Sequence, residues 1–169
     1  LQRSINLIRY IDGLPPLFWK DPYALGFCVG YSGSIAELMH PKADLGFTGE
    51  VITGVISRLA GPEYDASCLL RHVYDKTPEF VLAAGRATKL ASMTYGDTRF
   101  DSDPDVLKAV ARANQIGSSL DSVTGTLTPR TSMLAELTQM WFLERYCTSL
   151  RASPERREDT QGVTIGTLQ

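Results

Sequence analysis

Asp21-Pro-Tyr-Ala-Leu-Gly-Phe-Cys-Val-Gly-Tyr-Ser-Gly-Ser-Ile-Ala-Glu-Leu-Met-His40-Pro41 is the stretch whose reading decides the fold. It opens with an acid that can accept hydrogen bonds from free backbone N–H groups, followed by a proline whose missing N–H costs nothing in a first helical turn. It closes at His40-Pro41, where the proline ring disfavours helical backbone at the residue before it. Leu25, Val29 and Leu38 supply apolar positions, so the spacing predicts a helix over 22–39. Gly26, Gly30, Gly33 and Ser34 fall at i, i+4, i+7 and i+8 and form one smooth stripe. Each glycine costs about 1 kcal/mol of helix propensity relative to alanine, so something must offset the loss. Close backbone approach of a second helix is the leading expectation. A subunit interface and a bound ligand are the other readings. The dinucleotide fingerprint does not apply, because G-x-G-x-x-G is missing and no strand precedes the stretch.

The same punctuation organises the rest of the chain. Thr77-Pro78, Asp103-Pro104 and Thr128-Pro129 repeat the pattern of a capping residue before proline. Gly61-Pro62 marks a break, and Pro15-Pro16 sits in a linker. Helical periodicity is expected over 2–12, 49–60, 62–75, 78–94, 104–120 and 129–150. The β-branched residues Val51, Ile52, Val55 and Ile56 keep a strand open as an alternative for 49–60. Trp141, Phe142 and Tyr146 spread over several faces of the last helix, which predicts burial on most sides. The expected architecture is all-α: one domain, residues 1–150, of about six to seven helices. A polar tail or arm, residues 151–169, follows. Within it Val163 and Ile165 alternate with small polar residues, as a frayed end does, or an exchange arm that lies on a neighbouring subunit.

Composition sets the outer bounds. The 169 residues are 43% hydrophobic and 21% charged, as in ordinary globular domains. Their 17 basic and 19 acidic residues are spread evenly, and the 12 arginines gather in no segment. A dedicated nucleic-acid binder normally clusters positive charge, so nucleic acid is not an expected partner. The longest charge-free run, Pro22 to Ala36, is too short to cross a bilayer, and Arg3 and Arg9 interrupt the early apolar residues. Cys28, Cys68 and Cys147 are odd in number and far apart, which predicts free thiols and a cytoplasmic setting rather than a disulfide framework. The chain begins with Leu1, as a processed or trimmed fragment would.

Residue types that carry chemistry are sparse. Asp65, Cys68, His72 and Asp75, spaced 3, 4 and 3 apart, share one helix face, and a cysteine and histidine at i, i+4 can reach one metal ion. They are a weak ligand or metal candidate beside the plainer reading of a half-buried face. Glu37 and His40 match half of a di-iron motif whose second copy is missing, because His72 follows Leu69 at that spacing. Asp101, Asp103 and Asp105 start like a calcium loop, but Val106 stands where glycine is required and Arg112 where a bidentate glutamate belongs. Asp103 is read instead as a helix cap and Asp105 as a partner of the helix dipole. No cofactor, resident metal or catalytic residue is expected. The leading functional expectation is a protein that works by association with itself or another protein, as a subunit, adaptor or structural component. A small-molecule binder or enzyme with a pocket near Gly26, Gly30, Cys68 and His72 is the first alternative. A nucleic-acid-associated regulator is the second.

Overall fold

A computed structural model describes residues 1–62, 64–120 and 129–151, with backbone alone at 116–120 and 151. They form α1 (Gln2–Ile11), a 3-10 turn (Phe18–Lys20), α2 (Pro22–Met39), α3 (Leu45–Ala60), α4 (Ser67–Tyr74) and α5 (Pro78–Thr94). Then come α6 (Pro104–Leu120), α7 (Pro129–Thr138), a π turn (Gln139–Leu143), α8 (Glu144–Tyr146) and α9 (Thr148–Arg151). The described residues contain no strand, and the fold is an all-α bundle.

α2 is the central element. The Asp21 carboxylate caps it, accepting from the backbone N–H of Tyr23 at 2.7 Å and of Ala24 at 3.1 Å. Tyr23, Ala24, Leu25, Phe27 and Cys28 are all buried, so apolar residues surround this helix instead of lining one side. Its glycines decide its neighbour. A Cβ on Gly26 would meet the Phe80 backbone, with the carbonyl carbon at 2.9 Å, and one on Gly30 would meet Ala84, with the carbonyl carbon at 2.8 Å. One step further, the Ser34 hydroxyl bonds Thr88 Oγ1 at 3.0 Å. The series 26, 30, 34 against 80, 84, 88 advances in the same direction on both helices, so α2 and α5 run parallel. Gly33 faces the other way and meets the tip of Ile52 on α3, at 3.3 Å.

Two parallel helices require the chain between them to return. α3 makes that return, starting at the Asp44 cap, whose carboxylate accepts from Phe47 N at 2.8 Å. This cap places the helix start four residues earlier than the apolar pattern predicts, and the strand alternative for 49–60 is overturned. α4 is shorter than the expected 62–75. The Asp65 carboxylate accepts from both the backbone N–H and the hydroxyl of Ser67, a local turn that competes with helical backbone until Ser67.

The expected single helix over 129–150 is widened by the π turn at Gln139–Leu143 and breaks at Cys147 before α9. In an α-helix successive side chains point about 100° apart, so three in a row cannot share a face. The wider π turn accommodates Trp141, Phe142 and Leu143, all buried. Phe142 stacks on Phe27 of α2 at 4.5 Å between ring centres. The chain turns extended at Cys147, and α9 then docks on α1: Ser149 Oγ donates to the Asp12 carboxylate at 2.8 Å and holds that carboxyl below its usual range.

The contact between α2 and α5 predicts opposite outcomes for two glycines. Gly30→Ala forces a methyl against backbone that cannot rotate away and should cost about 1–3 kcal/mol or more. Gly85→Ala lies on open surface of α5 and should gain up to about 1 kcal/mol from helix propensity. Urea unfolding of the two variants checks this, and equal midpoints would contradict the packing described.

Candidate functional site

Cys68 and His72 occupy successive turns of α4, and the helix end that they face is the 3-10 turn at Lys20. Cys68 Sγ and His72 Nε2 are 3.8 Å apart. Both point at the Lys20 carbonyl oxygen, which lies 3.9 Å from the sulfur and 3.3 Å from the ring nitrogen. The opposite ring nitrogen, Nδ1, lies 3.1 Å from Thr77 Oγ1. The imidazole also stacks on Phe80. Thr77 therefore does not serve as the side-chain cap of α5 that Thr77-Pro78 predicts; its hydroxyl orients the histidine instead. Of the three cysteines, Cys28 and Cys147 are buried and Cys68 is partly exposed. Burial pushes the Cys28 thiol up to about 12, which keeps it protonated and inert.

Asp65 and Asp75, on the same helix face in sequence, do not join this pair. Asp65 is tied to Ser67, which lowers its carboxyl, and Asp75 is exposed at the C-terminal cap of α4. Among the described residues no three His, Cys, Asp or Glu side chains are grouped to hold a metal ion. Gly26 and Gly30 are not near an open pocket either, because α5 backbone fills the space beside them. A cleft of about 300 Å³ lies instead between α6 and α7, lined by Val106, Val110, Ala113, Pro129, Arg130 and Met133 among others.

A second polar cluster ties four helical elements together around Trp141. The Tyr23 hydroxyl donates to the Trp141 carbonyl at 2.5 Å and accepts from Arg86 at 3.2 Å. The Trp141 indole N–H donates to Asp105 at 2.8 Å, and Arg86 reaches the same carboxylate at 3.4 Å. Asp103 beside it accepts from the backbone N–H of Asp105 and pairs with Lys89 at 2.6 Å, which lowers its carboxyl. Asp103 and Asp105 thus serve in capping and cross-helix bonds. Asp97 likewise binds Arg99, which holds its carboxyl at about 2. Sequence reasoning placed Trp141 in the interior but gave no role to Tyr23 or Arg86, whose partners lie far along the chain. Glu37 and His40 are exposed, with the His40 ring edge-on to Phe47. Val163 and Ile165 lie outside the described residues. No helix among the described residues is long and apolar enough to cross a membrane. No family model, curated protein or solved structure matches the chain.

Tyr23→Phe removes one hydroxyl and leaves a buried carbonyl without that donor, so unfolding stability should fall by about 1–3 kcal/mol. Thermal or urea unfolding measures it. The acidic groups set a pH dependence. Asp97 and Asp103 have folded-state values below the unfolded ones, so their stabilisation is present above the unfolded carboxylate value and disappears as pH falls through the folded values. Stability should decline below about pH 4. Asp103→Asn should show a shallower decline in acid titrations followed by circular dichroism.

Proposed function

We propose that this protein acts by association with a protein partner, another copy of itself included, as a subunit, adaptor or structural component of an assembly. The observation that carries this reading is the apolar surface over residues 70–82. Leu70, Val73 and Tyr74 are 53%, 45% and 80% exposed on one stripe of α4, and Val81 and Leu82 are 54% and 51% exposed at the start of α5. Large side chains at i, i+3 and i+4 are the pattern by which one helix packs on another. Apolar side chains grouped on a surface mark association sites more often than isolated ones do. The three free thiols fit a reducing, cytoplasmic setting for that role.

The deciding experiment is light scattering on the full chain over a range of concentrations, beside a Leu70→Ser, Tyr74→Ser double variant. Association through this surface predicts a mass above that of the monomer for the parent and a monomer for the variant, with unchanged helical circular dichroism. A monomeric parent that also gains no partner in cross-linking from its own cell extract would overturn the proposal.

A further inference from the structure

α4 turns Cys68 and His72 toward the body of the protein and leaves Leu70, Val73 and Tyr74 exposed on its other side. Arg71 and Asp75, both exposed, lie one turn apart on one flank of that apolar stripe. Asp75 keeps right-handed helical backbone, with φ −76° and ψ −6°, so the flank runs on to the end of the helix. Neither residue has an ion pair among the described residues. Asp65, whose carboxyl Arg71 helps to lower, is already bonded to Ser67. Glu79, at the start of α5, pairs with Arg145. The surface thus offers an apolar stripe edged by one cation and one anion that have no ion pair of their own. We propose that its occupant is α4 of a second copy of this chain, packed antiparallel about a two-fold axis beside Val73, with Arg71 of each copy paired to Asp75 of the other.

The inference rests on the association reading above and names its partner. A two-fold interface is self-complementary, because each copy presents the same patch to the other. When two helices pack antiparallel about such an axis, the same flank of each meets across the seam. A flank of one sign would repel its own copy there. This flank carries both signs four residues apart, so reversing one helix sets each charge opposite its counter-charge, and both pairs form at once. Val73 then meets its own copy on the axis. Leu70 reaches past the end of the other α4, toward the start of α5, where Val81 and Leu82 are exposed. Burial of these apolar side chains supplies the driving force. The rim pairs add little affinity, but they fix the register and exclude partners of the wrong sign.

The test is a charge swap in the full chain, read by light scattering over a range of concentrations. The parent should form a dimer whose share rises with concentration. Arg71→Asp and Asp75→Arg each set like charges across both contacts, and each alone should raise the dissociation constant about tenfold or more. Mixing the two variants in equal amounts should restore a dimer of near-parental affinity, because every contact again joins a base to an acid. Both positions are exposed, and circular dichroism of each variant checks that the helices are intact. A parent that stays monomeric, or a mixture that associates no better than either variant alone, would overturn the proposal. The wider association reading fails separately. A monomeric parent that captures a foreign partner keeps that reading and removes the second copy. A parent dimer that Leu70→Ser, Tyr74→Ser abolishes but the mixture does not restore keeps the surface and removes the two-fold arrangement.

Discussion

The backbone contact between α2 and α5 is the constraint on which the rest of the molecule depends. Gly26 and Gly30 bring the two helices so close that any side chain at either position would strike the backbone at Phe80 and Ala84. This closeness offsets the propensity that the glycines sacrifice, because tight packing along a long helix pair recovers dispersion contacts that a wider spacing would lose. It also fixes the register, since Ser34 meets Thr88 only if both earlier steps are satisfied. Because the pair is parallel, α3 and α4 must carry the chain back along the bundle, and α4 is delivered to the same end as the start of α2.

That delivery creates the cluster at Lys20. Neither Cys68 nor His72 is near Lys20 in sequence, yet the 3-10 turn ends where α4 runs past it. Thr77 reaches the imidazole because α5 begins immediately after the turn that closes α4. The Cys68 and His72 contacts with Lys20 and the exposed apolar stripe thus share a short helix but use different faces. Cys68 and His72 face the body of the protein, whereas Leu70, Val73 and Tyr74 face outward.

The π turn has a comparable role at the other end of the cluster chain. It lets Trp141, Phe142 and Leu143 all enter the interior, and the Trp141 carbonyl and indole N–H are then both bonded, one by Tyr23 and one by Asp105. The Tyr23 hydroxyl and Trp141 carbonyl are buried and costly unless paired, so their bond favours one arrangement of α2 and the π turn, with the half-buried Arg86 and Asp105 adding α5 and α6.

Local chemistry was legible in the residues themselves. Asp21-Pro22 and Asp103-Pro104 mark helix starts because a cap and its proline act within one turn. The spacing of Gly26 and Gly30 pointed to a close approach because small residues at helical intervals have few other uses. Helical spacing of apolar residues pointed to helices in every segment up to residue 150, with a strand left open only for 49–60. Where two local bonds compete for the same side chain or turn, the sequence does not rank them. Thr77 turns to His72 instead of capping α5, Asp65 folds onto Ser67 and shortens α4, and Asp44 starts α3 ahead of its apolar pattern. Likewise, that α5 is the helix meeting the glycines, that it runs parallel to α2, and that the Lys20 carbonyl is the acceptor that Cys68 and His72 share follow from packing. Side-chain identity sets what each segment prefers, but which segments meet is decided by the joint burial of all of them, and a backbone oxygen leaves no mark in a sequence at all.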